Sequence, residues 1–173
     1  MPKVTITDAK GLVQSTGTGI DLTAGTLNYK QRTTTSTANT TLTAADCGGL
    51  YIFGDADGAV LTLPDSGAGN LVGWFIDVTV SVTATTNAHK VICTDTTNED
   101  MVGNFLSVDT DSADAAACFP AIQGDGFDYF AFDGSTTGIM GSRARVTNIA
   151  ADLWLVEGVS VGTGTVATPF AAT

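Results

Sequence analysis

Alternation of apolar and polar residues is the strongest pattern in this sequence, and it is clearest from Trp74 to Val82. Every second residue in that stretch is apolar, and most of the positions between them are polar, including Asp77 and Thr79. A period of two predicts a β-strand with one buried face and one wetter face. We therefore expect a strand here, with Trp74 turned toward the core.

Shorter apolar runs, separated by Gly, Pro, Asp and Asn, continue this rhythm and predict about ten strands in all. The other main candidates are 50–53, 59–63, 90–94, 101–108, 127–132, 143–146 and 153–161. Residues 115–117 instead suggest the start of a short helical turn, which Pro120 limits. No helical pattern lies between the strands and no fixed repeat appears, which disfavours a βαβ fold and a solenoid. The prediction is an all-β fold, an antiparallel sandwich or barrel of jelly-roll-like type.

Composition supports the same fold class. The chain has 173 residues, 29 of them Thr and 20 Gly, and only 14% are charged. Thr favours a pleated surface, whereas Gly and Asp favour turns. The acidic residues are 16 Asp and 2 Glu. Because Asp is favoured in turns, most of the acidic side chains are expected there.

Charge divides the chain into two parts. Residues 1–32 sum to +2, and residues 33–173 sum to -13, which gives the net charge of -11. We interpret 1–32 as an extended N-terminal arm and 33–173 as a single β-sandwich or barrel domain. The arm's cations either bind a separate partner or pair with an acidic body, and charge alone leaves both open.

Several function classes are disfavoured at this stage. A pI near 4.1 disfavours nucleic-acid binding by the body. No apolar run reaches the ~20 residues of a membrane span, and the N-terminus lacks the apolar region of a signal peptide. Cys47, Cys93 and Cys118 form no CxxC pair, so we expect buried free thiols and neither a zinc site nor a redox motif.

The sequence gives little support for a catalytic or metal-binding site. His89 is the only histidine, lies in a turn-like context and is expected to be a surface residue rather than part of a triad. The loops 55–58 and 109–114 hold several Asp, but neither matches an EF-hand loop. Whether either loop binds calcium stays open. We expect no enzyme activity, no catalytic residue and no cofactor.

Four stretches carry a family resemblance. They are Thr41 to Phe53 with its T-L-T-A opening, Leu61 to Gly69 with its T-L-P core, Leu153 to Gly158, and the end of the chain from Gly162 to Phe170. This pattern resembles small β-rich structural proteins of tailed bacteriophages: head-decoration (cement) proteins and related fibre or spike modules. The resemblance spans roughly residues 40–170, consists of strand and turn segments, and leaves the arm outside.

The resemblance implies a virion structural protein, made in the host cytoplasm, that sits on the capsid and bridges neighbouring capsid subunits. Its implied partners are the major capsid protein and further copies of itself, as a homotrimer, with no membrane or nucleic acid involved. Within that hypothesis we expect Lys3, Lys10, Lys30 and Arg32 to bind acidic surface on a partner.

The alternative hypothesis is a receptor- or glycan-binding module of a phage tail fibre or spike. A sugar site of that kind needs an exposed Trp or Tyr in a shallow groove. Trp74 and Trp154 both lie at strand positions that predict burial, which weakens this alternative.

Overall fold

The predicted succession of short strands is present in the structure, a computed structural model that describes residues 30–67, 69–111 and 116–173. All but the last three residues of the predicted arm lie outside the described residues. The strands are β1 (Thr33–Ser36), β2 (Thr40–Thr41), β3 (Leu50–Phe53), β4 (Val60–Thr62), β5 (Phe75–Val80), β6 (His89–Ile92), β7 (Asp100–Asp109), β8 (Ala116–Ala121), β9 (Tyr129–Phe132), β10 (Arg143–Ala150), β11 (Leu153–Gly162) and β12 (Phe170–Ala171).

Helical structure is minor in the described part of the chain. It consists of a 3-10 turn at Ala44–Asp46 and one short helix, α1 (Gly134–Thr137). No helix there is long and apolar enough to cross a membrane.

The strands form two sheets that pack face to face, so the all-β sandwich is confirmed. The large sheet has seven strands in the order β1-β3-β5-β10-β11-β7-β8. The small sheet has five, in the order β12-β9-β6-β4-β2. Their facing side chains make one core, with Val78 and Trp154 from the large sheet against Leu61, Val91 and Phe130 from the small one.

Strand pairing is mixed rather than antiparallel throughout, which corrects the sequence expectation. Five of the ten pairs between described strands are parallel. From β1 to β7 the chain alternates between the sheets, so β1, β3 and β5 pair in parallel in the large sheet. The opposite sheet supplies the crossover that a parallel pair requires.

The edge strand β8 is a second correction. Residues 116–121 form a strand antiparallel to β7 where the sequence suggested a helical turn. One side of an edge strand has no neighbour, so the missing N–H of Pro120 is tolerated there.

Phe105 lies at the centre of the aromatic core. It is fully buried, with ring centroids 5.1 Å from Phe130, 5.9 Å from Phe132 and 5.3 Å from Phe170. On its fourth side it lies over Gly158, where an added Cβ would come within 2.1 Å of the Phe105 ring. Gly158 therefore makes room for the ring inside the sandwich.

Candidate functional site: the outer face of the large sheet

The outer face is the surface of the large sheet that points away from the core, and the period of two along its strands creates it. In β5, Ile76, Val78 and Val80 are buried, whereas Phe75 and Asp77 point outward and are half-buried. Neighbouring strands repeat this alternation. The apolar residues of the outer face include Leu50, Ile52, Phe75, Val102, Leu106, Val108, Leu153, Leu155, Val159 and Val161.

An open groove of about 570 Å³ crosses the middle of the outer face, over β3, β5, β10, β11 and β7. Leu50, Leu106 and Val159 supply apolar walls, and Asn104 supplies an amide. Leu106 is 44% exposed, which is high for a leucine in a strand. The groove thus presents apolar side chains to whatever approaches this face.

A row of charged side chains runs along the same groove. Arg145 Nε and Nη2 donate to the two carboxylate oxygens of Asp77 at 2.7 and 2.8 Å, and its guanidinium lies 4.7 Å from the centre of the Phe75 ring. Gln31 Nε2 donates to Asp77 at 2.8 Å. Arg143 and Glu157 flank this pair, and Arg143 forms no ion pair with any described residue.

The Asp77 carboxylate is stabilised in its ionised form. The hydrogen bonds from Arg145, followed by that from Gln31, hold the pKa of Asp77 below its ordinary value of 3.8, against the opposing effect of burial. Because the folded-state pKa is the lower one, ionised Asp77 stabilises the fold above pH 3.8. That stabilisation is lost as the pH falls through the folded-state pKa.

This linkage predicts a measurable difference for Asp77→Asn, which cannot ionise. As the pH falls from neutral to below 3.8, the unfolding free energy of the wild type is expected to fall more steeply than that of the variant. Chemical denaturation at a series of pH values, at one low protein concentration, measures both curves. Parallel curves would show that the Asp77–Arg145 pair makes no contribution.

The structure describes two of the four arm residues that the sequence analysis named. Lys3 and Lys10 lie outside the described residues, and Lys30 is exposed. Arg32 is exposed and donates from Nη2 to Asp46 at 2.8 Å, so it pairs with the acidic body of its own chain. Its carbonyl accepts from Leu50 N, which holds this residue beside the large sheet.

Sequence reasoning missed the charged row. Arg143 and Arg145 lie two apart, which in a strand places both on one face, and this spacing was the available signal. The partners came from elsewhere in the chain: Asp77 from β5 and Glu157 from β11. No local pattern showed that these strands are neighbours.

His89 is not the surface residue that the sequence suggested. It lies on β6, is 0% exposed and stacks on Phe53 at 4.7 Å. Its Nε2 lies 2.9 Å from the Val82 carbonyl oxygen, and its Nδ1 has no partner in the described residues. Alternate residues of β6 point inward, and His89 is one of them, so it packs in the core.

The cysteines also differ from expectation. Only Cys93 is buried, and burial raises the pKa of its thiol. Cys47 and Cys118 are free and exposed. Cys118 belongs to the outer face, where it pairs in register with Leu106.

The acidic loops use their carboxylates to close turns. Asp55 Oδ1 accepts from Asp57 N, and Asp109 Oδ1 accepts from Asp111 N, both at 3.0 Å. Within the described residues no three acidic, His or Cys side chains are grouped to hold a metal ion. Residues 112–114 of the second loop lie outside the described residues.

Glu99 is a buried carboxylate that connects two loops to the core. Its Oε1 accepts from Ser66 N at 2.8 Å, from Ser66 Oγ, and from Trp154 Nε1 at 3.2 Å, while Oε2 accepts from Asp95 N at 2.9 Å. All four donors belong to this chain. Glu99 is therefore a structural residue at the end of the sandwich.

Both tryptophans are interior, as the alternation predicted. Trp74 is 5% exposed and Trp154 0%, and their rings meet edge to face at 5.6 Å. Neither offers a ring for stacking against a sugar.

Comparison with known proteins yields no relationship: no family model, curated protein or solved structure matches this chain.

Proposed function

We propose that this chain is a structural subunit of a tailed-bacteriophage particle that binds the outer surface of the capsid and stabilises the shell. The outer face of the large sheet carries this proposal. Leu50, Leu106 and Val159 line its groove, and apolar side chains grouped on a protein surface mark protein contacts. A half-apolar sheet face crossed by an open groove fits a protein that works by binding other proteins.

Two further features support an assembly role. The strand and turn segments resemble those of phage decoration proteins, which act by bridging capsid subunits. The cationic segment before residue 33 is opposite in sign to the body, which suits an arm that reaches acidic surface on the major capsid protein. Lys3, Lys10 and Lys30 are the residues proposed for that contact. Arg32, already paired with Asp46, contributes less.

The mechanism follows from mass action. A subunit that binds only the assembled shell lowers the free energy of the shell relative to its dissociated parts. No covalent chemistry is required of it. The acidic remainder of the body keeps coated particles apart in solution.

The tail-fibre alternative loses its main candidate residues. A glycan site of the expected kind needs an exposed Trp or Tyr in a shallow groove, and the two tryptophans, Trp74 and Trp154, are both buried. We therefore retain the capsid role.

Co-sedimentation with capsids that lack this protein, purified from the phage that encodes it, tests the proposal. The full chain is expected to sediment with the shells, and Lys3→Glu/Lys10→Glu is expected to lose at least about tenfold in affinity, with a strong dependence on salt. Lys90→Glu is the matched control, because Lys90 lies on the small sheet and is expected to bind like the wild type.

Two results would count against the proposal. Failure of the full chain to sediment with shells would overturn the capsid role itself. Equal affinity of the Lys3→Glu/Lys10→Glu variant and the wild type would overturn the role assigned to the arm.

A further inference from the structure

Arg143 is a cation of the groove with no acidic neighbour in the strand register. Thr79 of β5 and Val159 of β11 flank it, and both are uncharged. It is exposed and forms no ion pair with any residue that the structure describes. Asp100, a further acid of the outer face, lies in register six residues from Val159, about 20 Å along the strand. An approaching partner therefore meets an open guanidinium at this point.

The two acidic side chains of the groove act on Arg145 instead. The register places Asp77 on one side of Arg145 and Glu157 on the other. The hydrogen bonds to Asp77 raise the pKa of Arg145, and the charge of Glu157 adds to that rise. Arg143 is thus the cation of the groove whose charge is left for a partner to neutralise.

Apolar side chains continue from Arg143 across the sheet. Its register neighbour on β11 is Val159, and the next positions are Leu106 of β7 and Cys118 of β8. Leu106 is 44% exposed, and two strand spacings set it ~10 Å from Arg143. Asn104 is exposed beside it, and its side chain forms no hydrogen bond with the part of the chain that the structure describes. A partner that neutralises Arg143 therefore also meets apolar surface on one side of it.

We propose that the groove binds an extended segment of a partner protein in which an acidic residue is followed two positions later by an apolar one. The acidic side chain pairs with Arg143. Side chains two positions apart in an extended chain lie on one face at ~6.6 Å, which sets the apolar side chain between Val159 and Leu106. Charge and apolar surface are both complementary in this arrangement.

The shape of the groove favours a peptide over a small molecule. The groove crosses five strands, so it is ~19 Å long, which is the length of about six extended residues. A small-molecule site covers most of its ligand, whereas this groove is open along the sheet.

Binding of labelled peptides to the full chain tests the inference, which rests on the proposed function only in treating the outer face as a protein contact. The probe is a fluorescein-labelled hexapeptide, Thr-Asp-Thr-Leu-Thr-Leu, and the matched probe has Lys in place of Asp. Fluorescence anisotropy is expected to show at least about tenfold tighter binding of the acidic peptide. The net charge of -11 would favour the lysine peptide, so this preference requires a local cation. Equal affinities, or no binding up to about 1 mM, would overturn the inference.

Charge exchange identifies the cation. Arg143→Glu is expected to reverse the preference, so that the lysine peptide binds more tightly than the acidic one. Lys90→Glu makes the same change of charge on the small sheet and is expected to keep the preference of the wild type. An Arg143→Glu variant that still prefers the acidic peptide would show that Arg143 does not bind it.

An apolar substitution tests the second contact. Leu106→Ser is expected to weaken binding of the acidic peptide at least about threefold, because the leucine loses the surface that the peptide covers. Val72→Ser, at a 60% exposed position before β5, is the matched control and is expected to bind like the wild type. Thermal unfolding confirms that each variant is folded. Equal effects of the two substitutions would contradict the proposed position of the peptide.

Two further measurements separate the alternatives. Displacement of the labelled peptide by octanoate at a lower concentration than by unlabelled peptide would show a small-molecule site and overturn the peptide proposal. Co-sedimentation with shells separates the inference from the proposed function. A chain that binds the acidic peptide but not shells would overturn the capsid role alone. A chain that binds shells but neither peptide would overturn the inference alone.

Discussion

Gly158→Ala is expected to destabilise the sandwich by about 3 kcal/mol, the upper end of the usual cost of overpacking a core. The added methyl group would lie 2.1 Å from the Phe105 ring. That ring cannot retreat, because Phe130, Phe132 and Phe170 surround its other sides. The measurement is the free energy of unfolding by chemical denaturation.

A double-mutant cycle shows whether the clash is the cause. Phe105→Leu removes part of the ring, so the cost of Gly158→Ala is expected to be smaller in that background by about 1 kcal/mol or more. Gly164→Ala is the matched control, since no atom lies within 4 Å of its added Cβ. Equal costs in both backgrounds would place the effect elsewhere.

Glu99→Gln is the second large effect, expected at about 2–4 kcal/mol of lost stability. Four donors converge on the two carboxylate oxygens of Glu99, and the side chain is 1% exposed. An amide offers one oxygen and one NH₂ group. At least one donor from Ser66, Asp95 or Trp154 then faces another donor, away from water.

Asp65→Asn is the control for Glu99→Gln. It removes a carboxylate one residue before Ser66, at an exposed position where the amide oxygen still accepts from Gly67 N. A change within about 0.5 kcal/mol is expected there. A similarly small change for Glu99→Gln would show that the buried carboxylate does not hold these loops together.

The local elements were largely predictable from sequence. The nine-residue alternation from Trp74 to Val82 gave the position of β5 and the burial of Ile76 and Val78, but the strand ends at Val80 and Val82 is 38% exposed. Alternation works because a strand with one face against the core needs an apolar residue at every second position. The same reasoning placed both tryptophans inside.

Strand pairing was not predictable in the same way. The parallel neighbours come from a chain that alternates between the sheets, and the stretches between paired residues differ in length. Thr33 pairs with Leu50, 17 residues on, and Leu50 pairs with Asp77, 27 residues on. Unequal crossovers leave no fixed repeat in the sequence, although β1, β3 and β5 lie side by side in the large sheet.

For two segments, contacts with the rest of the fold overrode the structure that the local sequence predicted. His89 follows a polar turn sequence, yet its strand points inward at that position and Phe53 covers its ring. Residues 116–121 are rich in alanine, but pairing with β7 makes them an edge strand. Propensity is a weak guide where a neighbouring strand decides the conformation.

The outer face of the large sheet was also predictable only in part. Its alternation was present in the sequence, whereas its charge balance depends on Asp77, Arg145 and Glu157 meeting across three strands. Net charge along the chain drew attention to the arm. The grouping of these charged residues became apparent only once β5, β10 and β11 were neighbours.

Electron cryomicroscopy of particles of a phage that encodes this chain tests the proposal that the chain is a structural subunit on the capsid. We expect density for the two-sheet sandwich at repeated positions on the outer surface of the shell, bridging neighbouring capsid subunits. A shell without such density, or the sandwich found only at the tail, would contradict it.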